Sequence, residues 1–196
     1  MTRSLFGLFF LALVLLARPV PSRAQTYWGS IDITSDPEGT DCNVPTSGLV
    51  SLYVIARPDL SVGTAAGFFA VEFRVDLSEV LAAGATYVGE ESQGYVTIGS
   101  IVPGPGVQLG FLGCQKADLH VYTVRLSWDA VPSGTFHVSI VPSTLATSFL
   151  AMDECSSLRY IHPVLAGTAV ASTEGVSCDV AARETTWGTV KALYGE

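Results

Sequence analysis

Three histidines, eighteen acidic residues and four cysteines are the side chains of this 196-residue chain from which chemistry would have to be built. His120 shares strand parity with Tyr122 and Val124, whereas His137 shares it with Ser139. On a pleated pair, those two imidazoles leave opposite faces and form no dyad without a bulge. His162, between Ile161 and Pro163, has no neighbouring acid in sequence. No nucleophile elbow, zinc helix, phosphate loop or dinucleotide fingerprint is present. A glycosidase needs two carboxylates across a cleft, and no pair stands out by an apolar setting and a partner at recognisable spacing. The chain therefore reads as non-enzymatic, with no cofactor.

Asp32, Asp36, Glu38 and Asp41 form an acidic cluster near the start of the domain. Hard oxygen ligands on a loop suit calcium, which makes Asp36, Glu38 and Asp41 metal candidates. Their spacing matches no EF-hand loop, and Pro37 and Gly39 account for the segment as a solvated turn. Sugar recognition is the other chemistry to weigh, because sugar faces stack on exposed aromatic rings. Trp28 and Trp187, near the ends of the exported chain, are the aromatic candidates. Tyr122 and Trp128 have the parity of packing residues.

The elements that must position these groups are strands. In residues 69–77, Phe69, Val71, Phe73, Val75 and Leu77 alternate with Ala70, Glu72, Arg74 and Asp76. That period of two predicts a core strand with one buried and one wetted face. Residues 49–56 are apolar on both parities and predict a strand covered on both sides. Residues 78–84 predict a short helical turn capped by Ser78 and ended by Gly84, and residues 90–94 a turn. Residues 95–102 and 107–114 flank a Pro-Gly-Pro-Gly bend. Tyr122, Val124, Leu126 and Trp128 predict a hairpin with Phe136, Val138 and Ile140, Leu126 lying across from Val138. On the two best-phased strands the outward sets are Ala70, Glu72, Arg74 and Asp76, and Val121, Thr123, Arg125 and Ser127. Neither offers an aromatic row.

Many short strands with close turn signals and little helix predict an all-β, antiparallel β-sandwich. Residues 1–24 have a basic start, an apolar run and a Ser-x-Ala ending, the layout of a signal peptide. The sandwich occupies 25–181, and 182–196 is a tail with a short amphipathic helix. Its stripe of Trp187, Val190, Leu193 and Tyr194 either docks on the sandwich or serves as a sorting signal. Removing residues 1–24, with three arginines and no acid, takes the net charge from −8 to −11. That balance excludes nucleic acid and anionic lipid as partners, since both need a basic face. No membrane span follows the signal. Cys42, Cys114, Cys155 and Cys178, an even number in an exported chain, read as disulfides. Three pairings are possible; sequence order favours Cys42–Cys114 with Cys155–Cys178.

The succession FAVEFRVDLSEVLAAGATYVG, GVQLGFLG and LHVYTVRLSWDAVPSGTFHVSIVPS, within residues 28–142, resembles cohesin-like β-sandwich domains. That likeness implies a fold with Ig-like layers and protein binding through a sheet face. It assigns no binding residue, because no binding motif is shared, and the four cysteines depart from the usual cohesin pattern. The DxxGTxC motif of residues 36–42 and the TTWGxVKALY ending of residues 185–194 resemble uncharacterised secreted bacterial proteins of one β-sandwich each. Taken together, the sequence reads as a secreted or cell-envelope structural or protein-interaction module. Its partner would be another extracellular protein or a glycan, a carbohydrate-binding module being the alternative.

Overall fold

The strand at residues 69–77 sits at the branch point of the larger of two sheets. A computed structural model describes residues 27–61, 67–102, 104–147, 149–155 and 160–173, and these described residues form thirteen strands and one short helix. They are β1 (Gly29–Thr34), β2 (Asn43–Val44), β3 (Gly48–Pro58), β4 (Phe68–Asp76), α1 (Ser78–Ala82), β5 (Ala85–Ser92), β6 (Val96–Ser100) and β7 (Gly106–Gln115). Then follow β8 (Leu119–Trp128), β9 (Thr135–Val141), β10 (Ala151–Glu154), β11 (Ile161–Pro163), β12 (Leu165–Ala166) and β13 (Thr168–Ser172). The first sheet runs β12-β1-β3-β8-β5 and the second β11-β10-β4-β9-β13-β2, with β7 joined to β4 and β6 to β7. The all-β sandwich read from the sequence is thus the observed architecture. The two short pairings β1–β12 and β2–β13 are parallel, and the others antiparallel.

The predicted hairpin between residues 122–128 and 136–140 does not form. β8 pairs with β3 and β5, whereas β9 pairs with β4 and β13. The two strands belong to opposite sheets, and both turn their apolar faces into the common core. Parity cannot separate these cases, because facing strands and neighbouring strands both point their apolar set inward. Leu52, Val54, Tyr122, Val124 and Leu126 pack from one side against Val71, Phe73, Val75, Leu109 and Ile140 from the other. Phe73 meets Tyr122 edge to face at 5.9 Å. Tyr122 and Trp128 are buried, as their parity required.

A register shift between Phe68 and Ala70 changes the phase of β4. Phe68, not Phe69, is buried, and its ring meets Phe111 edge to face at 5.7 Å. Ser78 does not cap the helix with its side chain; the Asp76 carboxylate accepts from the Ser78 amide at 3.0 Å. Gly84, at φ +102°, ends the turn as expected. The predicted turn at 90–94 is strand as far as Ser92, because Glu90, Glu91 and Ser92 pair with Val124, Thr123 and Tyr122.

The disulfide pairing is also corrected. Cys114 bonds to Cys155, not to Cys42. The cause is the sheet order: β7 and β10 both pair with the start of β4, Phe68 lying across from Gln115 and from Glu154. Sequence order could not reveal that convergence. Gly67 lies between the two chains, at φ +97°, where a Cβ would stand 2.2 Å from the Gln115 carbonyl oxygen. Cys42 is disulfide-bonded as well. Cys178 lies outside the described residues.

Glu90 of β5 ties the sheets together at one end of the sandwich. Its carboxylate accepts from Ser100 Oγ at 2.7 Å and from the Ile101 amide at 3.1 Å, and its charge acts on the nearby phenols of Tyr87 and Tyr122. Burial, reinforced by this carboxylate, pushes both phenols far above their ordinary range. The end of β6 is thereby fixed to the first sheet.

Candidate functional site

The residues singled out in the sequence do not converge. Asp36 closes its own loop: its carboxylate accepts from the Thr40 amide and hydroxyl at 3.0 Å and from the Asp41 amide at 2.5 Å. The small burial penalty raises this carboxyl, but the amides outweigh it and hold it below its ordinary value. Asp41 in turn accepts from the Asn43 amide at 2.8 Å. Among the described residues, no three acidic, histidine or cysteine side chains gather as a cation cage. The loop lies over the outer face of the first sheet, where Arg57 donates to the Gly39 carbonyl at 2.6 Å and to Asp32 at 2.7 Å.

Trp28 is half-buried, stacked on His162 with ring centroids 3.4 Å apart. His162 Nε2 lies 3.2 Å from a carboxylate oxygen of Glu154, which is buried. The β10–β11 pairing makes this contact, and the eight-residue separation of the pair hid it in the sequence. One face of the indole is thus spent on packing, unlike a platform for a sugar ring. His137 meets Glu79 on the surface and His120 meets Thr123, so the three imidazoles occupy three separate places. Trp187, Val190, Leu193 and Tyr194 lie outside the described residues.

His120 carries a pH prediction. Burial holds its imidazole below the ordinary value, against the opposing pull of the Tyr122 carbonyl and the Glu91 carboxylate. The unfolded chain then takes up the proton first as pH falls. This contribution to stability is present above about pH 6.5 and is lost below it. His120→Gln should flatten the dependence of melting temperature on pH just below that point, and an unchanged slope would contradict the assignment.

The outer face of the second sheet is what the sequence did not reveal. Across β11, β10, β4, β7 and β6, the registers align Pro163 with Ala151, Ala151 with Glu72, Glu72 with Gln108 and Gln108 with Ile98. One step along, Ile161, Asp153, Ala70, Gly110 and Val96 form the next row. Ala70, Ala151 and Gly110 make a low floor. Around it stand Ile161 (50% exposed), Val96 (50%), Ile98 (53%) and Leu112 (74%). Five strands at about 4.8 Å spacing make this face about 19 Å wide.

A strap crosses one end of it. The link from β9 to β10 passes over β4, and Glu72 holds it. One carboxylate oxygen accepts from Ser143 Oγ at 2.5 Å and from the amides of Ala146 and Thr147 at 3.1 Å each. Glu72 is 3% exposed, although its parity put it on the wetted side. Val121 and Thr123, also read as outward, are buried too. Beside the strap is a shallow hollow lined by Ala70, Gln108, Ala146, Ala151 and Ile161. Glu72→Ala strands the Ser143 hydroxyl and two amides, and should cost about 1–3 kcal/mol. Amide exchange at residues 143–147 should rise well above that of β4; equal protection in both proteins would show that the carboxylate does not hold the strap.

No family model and no curated protein matches this chain. Among solved structures it is similar to a "Cohesin module from Clostridium perfringens ATCC13124 family 33 glycoside hydrolase". The match covers 75% of this chain and 97% of that one, at 10% identity and a TM-score of 0.49.

The face left one trace in the sequence. Residues 92–115 contain no charged side chain, although the chain carries 18 acids and 10 bases. Combined with the even-numbered row Gln108, Gly110 and Leu112, that gap marks a sheet surface with little affinity for water.

Proposed function

We propose that this chain is an exported, non-catalytic β-sandwich that binds another extracellular protein through the outer face of its second sheet. The observation that carries the reading is the ring of exposed Ile161, Val96, Ile98 and Leu112 around a floor of Ala70, Ala151 and Gly110. An apolar patch of this kind, flanked by polar groups, is a feature of protein–protein contacts. Export is supported by the layout of residues 1–24, and an oxidising compartment suits the Cys114–Cys155 bridge. Among the described residues no helix is long and apolar enough to cross a membrane. The tail at 182–196 belongs to the same proposal as a docking or sorting element. Deleting residues 186–196 separates the two: lost stability with normal export marks docking, and altered localisation with normal stability marks sorting.

The test uses affinity capture from the extracellular fraction of the organism that makes the protein. The wild type should retain one protein at one-to-one stoichiometry, and Leu112→Asp with Ile161→Asp should lose it while melting as the wild type does. Retention by a glycan array that disappears in Trp28→Ala would replace this reading with a carbohydrate-binding module.

A further inference from the structure

The sandwich has five sheet edges among the described residues, and four of them are guarded against pairing with another chain. β2 and β12 have two residues each, β11 has three and ends in Pro163, and β5 carries Glu90, Glu91 and a bulge beyond Tyr87. Short strands, proline, charge and bulges are the devices by which exposed edges avoid association. β6 has none of them. It runs through Val96, Thr97, Ile98, Gly99 and Ser100, pairs with β7 alone among the described residues, and lies inside the charge-free stretch 92–115. Alternate residues of an edge strand point their N–H and C=O groups away from the sheet. The Glu90 contacts to Ser100 and Ile101 hold this edge in place before anything binds it.

We propose that β6 pairs antiparallel with β6 of a second copy of this chain, about a two-fold axis through Thr97. Three observations select a second copy as the occupant. An antiparallel edge is complementary to itself under a two-fold, so one strand supplies both halves of the contact. The register centred on Thr97 sets Val96 across from Ile98 of the other copy, and the reverse, giving two apolar cross-strand pairs on one face. A chain with a net charge of −8 repels its copies over most of its surface, and the uncharged edge is where that repulsion is least. Pairing would join the second sheets of two molecules and set their outer faces side by side.

Sedimentation equilibrium on the isolated protein, with no other macromolecule present, tests this independently of partner binding. The wild type should show a concentration-dependent monomer–dimer equilibrium. Ile98→Lys puts a charge on the edge and should raise the dimer dissociation constant by about tenfold or more. Ile98 is exposed, so the melting temperature should be unchanged at concentrations where the wild type is monomeric. Under mild oxidation Thr97→Cys should form a covalent dimer, because position 97 faces itself across the axis. Cysteine at Thr86, exposed on β5, should leave a monomer under the same conditions. A wild type that is monomeric at every concentration, an Ile98→Lys variant that dimerises as the wild type does, or a Thr97→Cys variant that cross-links no faster than Thr86→Cys would overturn the proposal.

Discussion

Phe73→Ala is expected to lower the free energy of unfolding by about 3–5 kcal/mol, the range for truncating a large buried aromatic. Phe73 is 0% exposed at the centre of β4, with Val107 across from it on β7. Its ring meets the edge of Tyr122 from the other sheet, so the contact is between layers as well as within one. The cost of a cavity depends on how far its walls can relax. Tyr122 lies on β8 between Val54 of β3 and Ser92 of β5, and this pairing on both sides limits how far it can move in to fill the cavity. The loss should therefore fall toward the upper end, with an unchanged denaturant slope in urea. A paired comparison fixes the phase of the strand: Phe68→Ala should cost more than Phe69→Ala, because the bulge turns Phe68 inward. A Phe73→Ala loss below about 1 kcal/mol would mean that β4 does not present this face to the core.

Replacing Cys114 and Cys155 together by serine should cost about 4 kcal/mol in the chain-entropy account of cross-links. The two residues are separated by 41 positions, so the bridge closes a long loop holding β8, β9 and β10. It also fixes where β7 and β10 begin to diverge around Gly67, whose carbonyl accepts from the Cys155 amide at 3.0 Å. The expected phenotype is a large fall in the urea midpoint with the same fold. Because β10 and β7 flank the floor of the outer face, that face should exchange its amides faster than the first sheet does. A loss below about 1 kcal/mol would show that the unfolded chain is already constrained in this region.

Most strands were legible because a period of two is a local signal. Residues 49–56, 95–102 and 107–114 predict strands, and β3, β6 and β7 fall on them. Partnership was not legible. Val138 and Leu126 carry the same inward pattern whether they lie side by side or on opposite walls of a core, and the structure has them in opposite sheets. Glu72 and Phe68 show the second limit. A bulge of a residue or two reverses a strand's phase, and a strap from seventy positions further along the chain buries a carboxylate that alternation placed in water. The candidate face fell in the same gap. Its floor residues Ala70, Gly110 and Ala151 come from three strands and acquire meaning only when the registers bring them together.

A calorimetric titration of the captured partner into matched variants of the two sheets tests directly whether the second sheet is the interaction surface. Leu112→Asp with Ile161→Asp on the second sheet should weaken binding by about a hundredfold, as expected when charge enters a desolvated apolar contact. Ser127→Asp on the outer face of the first sheet should leave affinity within about twofold of the wild type. Equal binding by all three proteins, or a loss confined to Ser127→Asp, would contradict the assignment of the second sheet as the interaction surface.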